Sequence, residues 1–514
     1  MQLKARLLDV QAGGRNIAIL DNETAGFLGV HSSDRVNITS RNRNVVAIVN
    51  VASDFPLNYI GLYEEIQKKL CVGDGESVDV QSAEAPESLR YVQAKIRGER
   101  LRENEIDTIV RDVVERHLSD VELAALVVAL SIHGVSMDEI EALSKAMVKT
   151  GSTLDLKKKP ILDKHSVGGI PGDKTTIMVV PIVAAAGFTI PKSSSRAITS
   201  AAGTADRVEV LCPVNLTIEE IKEVVKKTNG CMVWGGALEL APADDIFIQV
   251  EYPLAIDPLL LPSIMSKKKA IGATHLVVDI PTGRGAKIKT IGEAQALAND
   301  FIDLGKRLAM TVQCAVTFGE QPIGNAIGPA LEAREALSTI MGNGPADLKE
   351  KATSLAGLLF EMLGIKSGKQ KAEELVKSGK AEAKLREIIE AQGGDPKVKP
   401  EDIAVGPKKT EVTADQEGEV LWVNNEDIAR VAREAGAPKE KTAGVLLKAK
   451  LGERVKKLDA LFEIYAERNT KLEAAFKLAN RLKPVGLSRK LEERMIIERI
   501  PTPTERKKTF ILER

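Results

Sequence analysis

The spacing of apolar residues changes character along the chain, and each change marks a different kind of structure. In residues 1–84 apolar and polar positions alternate. Val36 and Ile38 stand between polar neighbours, Val45 to Val51 is strongly apolar, and Val78-Asp79-Val80 alternates again. A period of two is the mark of half-buried strands. Gly13-Gly14, Asp21-Asn22 and Gly73-Asp74-Gly75 supply turns between them. One helix, Tyr59 to Leu70, is predicted to interrupt the strands. The expected shape is a small barrel whose β edges pair or pack between protomers.

From residue 85 to about 155 the period becomes helical. Ser119 stands three before Glu122, and Ser136 three before Glu139. Each pair can form a capping box at a helix start. Leu123, Leu126, Val127 and Leu130 then follow the i, i+3, i+4, i+7 stripe of one helix face. Ile140, Leu143 and Met147 do the same after the second cap.

Between about 156 and 400, short apolar runs alternate with helices. Ile161-Leu162 reads as a strand leading into a Gly-rich loop, and Thr175 to Ala186 as a helix apolar nearly all round. Phe188 to Ile190 and Leu276 to Ile280 are further strand candidates, the latter ended by Pro281. Thr217 and Glu220 cap a helix that stops near Asn229-Gly230, and charged helices follow from about 345 to 391. This is α/β organisation with a mostly parallel sheet. Lys397 to Thr410 reads as a hinge or linker. Residues 411–500 return to strands around a helix, Asn425 to Ala435, with Leu461 to Tyr465 a strand and a charged tail from about 484. The predicted chain is therefore multidomain α/β: an N-terminal barrel-like module (1–84), a small all-α domain (85–155) that later helices join, a large α/β domain (156–400) and a C-terminal α+β domain (411–500).

Composition narrows the function. The 514 residues hold 72 Lys plus Arg against 72 Asp plus Glu, so no chain-wide basic field exists to attract polymeric nucleic acid. Aromatics are only 3%, so base-stacking platforms are not a theme of the composition. Cys71, Cys212, Cys231 and Cys314 lie far apart without a CxxC pair, and the five histidines show no HExxH spacing. That argues against a disulfide scaffold or a cysteine zinc site and suits a reducing cytoplasm. Neither a membrane span nor a signal peptide is read from the sequence.

Two segments could carry chemistry. Asp163-Lys164-His165-Ser166-Val167-Gly168-Gly169-Ile170-Pro171-Gly172-Asp173-Lys174-Thr175-Thr176 follows a strand and opens a helix. Glycines let backbone N–H groups approach an anion, and a helix N-terminus adds partial positive charge. Lys164, Ser166 and Thr176 can add donors. GxxxxGK[ST] is not met, because Asp173 separates Gly172 from Lys174, so this is no Walker A loop. The alternative is a tight structural turn. The second segment is Ser193-Ser194-Ser195-Arg196-Ala197-Ile198-Thr199-Ser200-Ala201-Ala202-Gly203-Thr204-Ala205-Asp206, in which eight of fourteen residues carry hydroxyl or charged groups. Arg196 offers a planar fork for phosphate. A polar surface loop is the alternative. Trp234 and Trp422 are expected in the core.

Together these segments, DKHSxGGxxGDK and SSRAITSAAGTAD, closely resemble the signature of the thymidine and pyrimidine-nucleoside phosphorylase family. The likeness continues through Leu240-Ala241-Pro242-Ala243-Asp244, Ser263-Ile264-Met265-Ser266-Lys267-Lys268, Gly328-Pro329-Ala330-Leu331-Glu332-Ala333 and Gln392-Gly393-Gly394-Asp395-Pro396. The extra N-terminal module resembles the archaeal branch that acts on nucleoside 5′-monophosphates. The resemblance implies a pentosyltransferase that needs no cofactor or metal. Phosphate attacks C1′ of AMP, or of another nucleoside monophosphate, and releases adenine and ribose 1,5-bisphosphate. In AMP degradation that product is isomerised to ribulose 1,5-bisphosphate for a carboxylase. It implies phosphate contacts from Lys164, Ser166, Thr176, Ser195 and Thr204. Nucleotide contacts are implied for Gly169, Ser195, Arg196, Ala197, Ile198, Thr199, Ser200, Thr204, Ser263 and Lys287. Asp257, in the apolar setting Ala255-Ile256-Asp257-Pro258-Leu259, is implied as the proton donor to the departing base. A homodimer that assembles further through the N-terminal module is also implied. The alternative is a pyrimidine-nucleoside phosphorylase. In those enzymes an Arg-Asp pair follows Leu-Ala-Pro-Ala-Asp and its Arg reads a pyrimidine carbonyl. Glu251-Tyr252 stands there in this chain, and a carboxylate cannot donate to a carbonyl. Gly452 to Asp459 resembles a lipoyl-like turn frame in which Leu458 takes the usual place of a glycine.

Overall fold

Residues two apart in the first module, such as Leu3 and Ala5, Ala18 and Leu20, and Val36 and Ile38, are all buried. A computed structural model, which describes residues 1–197 and 200–488, shows why. Strands β1 (Gln2–Leu7), β2 (Ile17–Asp21), β3 (Arg35–Ser40), β4 (Arg43–Ala52), β5 (Tyr59–Leu62) and β6 (Ser77–Ala83) form a closed barrel in the order β1-β5-β2-β4-β3-β6. Closure is made by antiparallel β1 and β6, with Leu3 opposite Val78. Two expectations are corrected. Tyr59–Leu62 is a strand and the helix begins only at Glu64, because Ile60 and Leu62 are needed inside the barrel. A closed barrel also has no free strand edge, so pairing between protomers through barrel edges is not available.

The bundle begins with helices Ser88–Ile96, Glu103–Val114, Asp120–His133 and Met137–Lys149. Both capping boxes form, at Ser119 with Glu122 and at Ser136 with Glu139. A later helix, Pro242–Leu254, joins them: Ala243, Ile246 and Phe247 share a core with Ile106, Val110 and Leu126. The barrel docks on this bundle through charge. Arg35 donates to the His117 carbonyl at 3.0 Å and pairs with Glu122, and Arg15 pairs with Asp120 at 2.7 Å.

The α/β domain is built on β7 (Leu162–Ser166), β8 (Ile190–Ser194), β9 (Gly230–Trp234), β10 (His275–Thr282) and β11 (Thr311–Phe318). Every neighbouring pair is parallel, in the orders β11-β10-β7 and β8-β9, and an Ile161–Thr189 bridge joins the two groups. Helix Thr175–Ala185 is buried at every position from Thr175 to Ala184, as its uniform apolarity predicts. Pro281 does not end β10, which runs on to Thr282. Pairing with β7 stops at Asp279, so Pro281 costs no ladder bond on that side. Helices Ala346–Glu361, Gly368–Lys377 and Lys380–Ala391 add Leu355, Leu359, Leu375, Leu385 and Ile388 to the core around helix Thr175–Ala185.

The C-terminal domain carries strands Lys408–Thr413, Gly418–Val423, Gly444–Leu447 and Ala460–Ala466 with helices Asn425–Glu434 and Asn469–Leu482. Ala326–Ile327 pairs with Val445–Leu446, stitching this sheet to the α/β domain. The first part of the expected tail, Val485–Leu487, is a strand paired with Gly418–Val423; residues from 489 lie outside the described ones. Trp422 is not core: it is 46% exposed. Its ring covers Gly486 on the paired strand. No helix among the described residues is long and apolar enough to cross a membrane.

Candidate active site

β7 delivers Asp163, Lys164 and His165 to the carboxyl end of the sheet, where parallel sheets bind ligands. Lys164 is buried. Its Nζ donates to Thr175 Oγ1 at 2.8 Å and lies 3.6 Å from Asp173 and 4.0 Å from Asp279. Burial works against ionisation of Asp173, but the charges of Lys164 and Lys351 outweigh it and hold this carboxyl far below its usual range. The intervening turn runs over Gly168, Gly169 and Gly172, all at positive φ, into the N-terminus of helix Thr175–Ala185. Thr176 is buried in that first turn. Lys174 is committed elsewhere, to the Ile323 and Ala326 carbonyls at 2.9 Å and to Glu335 at 2.5 Å.

The next crossover brings the hydroxyl-rich loop beside this one. Asp206 clamps it, accepting from the Ala197 and Gly203 amides at 2.7 and 2.8 Å. The backbone at Gly203 passes so close to Ala197 that a Cβ would stand 2.4 Å from its nitrogen. Ser195 is exposed and Thr204 opens the short helix Thr204–Val208. Arg207 ties the two loops together, donating to the Ala202 carbonyl at 2.7 Å and to the Asp173 carbonyl, while Glu332 neutralises it at 3.0 Å. Arg196 has its fork filled. Both arms lie on Glu209, at 2.8 and 2.6 Å, one also reaches Asp206, and the guanidinium stands 4.9 Å from the Trp234 ring centre. Ile198 and Thr199 lie outside the described residues.

A third group faces these loops. Gly169 and Lys287 touch: a Cβ on Gly169 would stand 2.5 Å from the Lys287 amide nitrogen. Lys287 in turn pairs with Asp257, and both side chains are over a third exposed. Lys267 pairs with buried Asp244; burial works against its charge, but that carboxylate holds it above the usual lysine range. Lys268 and Lys192 flank Asp163 at 2.8 and 3.4 Å. Burial, with Asp163 opposing, pulls Lys192 far down. His165 is surrounded by Lys268, Lys192, Lys164 and Lys267; burial first and these charges second depress it well below its ordinary value, so its imidazole is neutral. Ser263 sits on helix Leu260–Ala270, one turn before Lys267.

Thus the structure links Gly169, Lys287 and Asp257 in one chain of contacts, and Lys164 with the helix bearing Thr176. It places Arg196 against the carboxylates of Glu209 and Asp206. Several residues that shape the site were not singled out from sequence: Asp163, Lys192, Arg207, Asp279 and Lys351. Asp279 had a signal, a lone carboxylate in the apolar run Leu276–Ile280; it binds Lys351 at 2.8 Å and accepts from Thr317 Oγ1 at 2.6 Å. Arg207 had none. Buried lysines and Arg207, each with a carboxylate partner, are gathered around a glycine turn and a helix N-terminus, a setting that suits an anion.

Comparison with known proteins agrees with this architecture. Residues 89–151 match the helical bundle domain of a glycosyl transferase family, residues 158–382 its α/β domain, and residues 420–484 the pyrimidine nucleoside phosphorylase C-terminal domain. The AMP phosphorylase of Thermofilum pendens is 49% identical over 514 residues, covering 100% of both chains. Those of Thermococcus kodakarensis (50% identical; 97% of this chain, 99% of the relative) and Pyrococcus furiosus (51%; 95% and 98%) are similarly alike. Anthranilate phosphoribosyltransferase from Thermus thermophilus shares the fold over 59% of this chain and 98% of its own, with a TM-score of 0.50 at 21% identity. The chain belongs to the AMP phosphorylase family.

Proposed function

We propose that the protein is a pentosyltransferase that cleaves nucleoside 5′-monophosphates with inorganic phosphate, AMP giving adenine and α-D-ribose 1,5-bisphosphate. The observation that carries this reading is full-length kinship with AMP phosphorylases at about half identity. Glu251-Tyr252, where pyrimidine enzymes hold an arginine, supports the same choice over thymidine or uridine. A phosphate oxygen bonds to C1′ as the bond from C1′ to N9 breaks, and the base leaves with a proton. Such a reaction needs orientation and charge stabilisation rather than a covalent nucleophile.

In this reading Lys164, Ser166, Thr176, Ser195 and Thr204 hold phosphate. Gly169, the loop from Ser195 to Ser200 with Arg196, Thr204, Ser263 and Lys287 hold the nucleotide. Asp257 supplies the proton to the base. Lys287 is shared between Asp257 and the incoming 5′-phosphate, so binding draws it off the carboxylate and frees Asp257 to carry that proton. The four cysteines are all free, which supports a reducing, cytoplasmic setting. Protomers pair and assemble further through the barrel. On the resemblance alone, the product feeds the formation of ribulose 1,5-bisphosphate.

A phosphate-dependent product assay over nucleosides and their 5′-monophosphates tests the reading. Losing two charge-assisted bonds to the 5′-phosphate should lower kcat/KM for adenosine about 100- to 10,000-fold relative to AMP. Equal values for the two would sink it. Asp257→Asn should lower kcat by about the same range while AMP affinity stays within a few-fold. Near-wild-type turnover from pH 5 to 8 would reject the acid assignment.

A further inference from the structure

Asp257 sits on an exposed turn, and something must hold that turn. Helix Pro242–Leu254 ends in Ala255, which adopts the left-handed conformation at φ 52°. The Ile256 amide folds back onto the Glu251 carbonyl at 3.2 Å. The Glu251 side chain then reaches past Asp257 and accepts from the Leu259 amide at 3.3 Å. The turn from 255 to 259 is thus gripped at both ends by one residue, and that residue is only 5% exposed.

The surroundings of Glu251 are unusual for a carboxyl group. Burial is the first influence on it, the charge of Asp257 the second, and together they push it up to about 7. Asp244, on its own helix, pushes the same way, while Lys287 on the facing loop opposes. Lys267, on helix Leu260–Ala270, is also within its field. The bundle helices packed on its helix add apolar Ile106, Val110 and Leu126 to the shared core. No lysine or arginine pairs with Glu251 among the described residues.

We propose that Glu251 is the positioning residue of the catalytic acid: its backbone carbonyl and its side chain together anchor the turn that carries Asp257. This rests on the reading of Asp257 as the proton donor. Glu251 holds the Ile256 amide at one end of the exposed turn and the Leu259 amide at the other, so the Asp257 carboxyl between them is presented in one place rather than many.

The test compares kcat–pH profiles of the full chain for AMP at saturating phosphate, in the wild type, Glu251→Gln, Glu251→Ala and Asp257→Asn. Ionisation of the substrates is common to all four and cancels in the comparison. Glu251→Gln keeps the acceptor for Leu259 and should keep kcat within about fivefold of the wild type. Glu251→Ala removes that acceptor and should lower kcat at least about tenfold at every pH, with KM for AMP within about threefold. Wild-type kcat in Glu251→Ala, or a loss in Glu251→Gln as large as in Glu251→Ala, with Asp257→Asn inactive, overturns the anchoring role and leaves the acid assignment standing. An active Asp257→Asn overturns the acid assignment and this inference with it.

Discussion

Gly169 stands at φ +91°, and any side chain there would meet the Lys287 backbone. Both constraints act against Gly169→Ala: a left-handed backbone costs an alanine about 1–2 kcal/mol, and the facing loop must also shift. That loop positions Lys287 and, through it, Asp257. We expect kcat/KM for AMP to fall at least about tenfold, with the melting temperature lowered by a few degrees. Unchanged kinetics would show that the contact has no part in catalysis. Glu251 gives a second residue-scale prediction. In the unfolded chain it loses its proton near 4.5, in the folded chain near 7. Between those values the folded state binds more protons, so stability falls as pH rises, by on the order of 3 kcal/mol across the window. Glu251→Gln lacks this slope. Relative to the wild type it should melt higher at pH 8 than at pH 4.5, and an equal difference at both would remove the coupling.

Elements whose chemistry is local were legible in the sequence, and those set by distant partners were not. The capping boxes at Ser119 and Ser136 need only three residues each, and both form as read. Leu458 is another local case. It was singled out as standing at a glycine position, and it has φ +77°. It is also 72% exposed, so no core packing holds it there. Leu458→Gly should therefore stabilise the chain by about 0.5–1 kcal/mol, the strain relieved less the extra flexibility of the unfolded glycine. Thermal melts check this, and a lower melting point would refute it. Tyr59–Leu62 and Pro281 were misread for the opposite reason. Ile60 and Leu62 are fixed by a barrel closed with strands far away in sequence, and β10 outlasts its proline only because β7 stops short beside it. The candidate site divides in the same way. Lys164, Ser166, Gly169 and Thr176 lie in one stretch around a turn. Arg207 reaching Asp173, or Lys351 reaching Asp279, depends on how crossovers separated by dozens of residues pack.

At the scale of the whole molecule, the barrel is separated from the proposed site. That site is built from β7, β8 and β10, their loops, and the helices from Pro242 to Ala270, whereas residues 1–83 contact the bundle through Arg15 and Arg35. Because the barrel is closed, assembly through it must use side chains on its outer surface and not strand pairing. Phe27, on helix Asn22–Leu28, is the most exposed large apolar side chain there, at 82%, with Leu57 at 54% and Val10 at 44%. Burying one such phenylalanine at a contact is worth about 1.5–3 kcal/mol, and symmetry repeats the gain at every copy. Phe27→Glu in the full chain replaces that gain with a buried charge at each contact. The mass by light scattering should fall toward that of the dimer, with kcat for AMP within about twofold of the wild type. A chain beginning at Glu84 should show the same reduced mass. If both keep the full-length mass, assembly does not run through the barrel; if Phe27→Glu alone keeps it, the barrel assembles through another part of its surface.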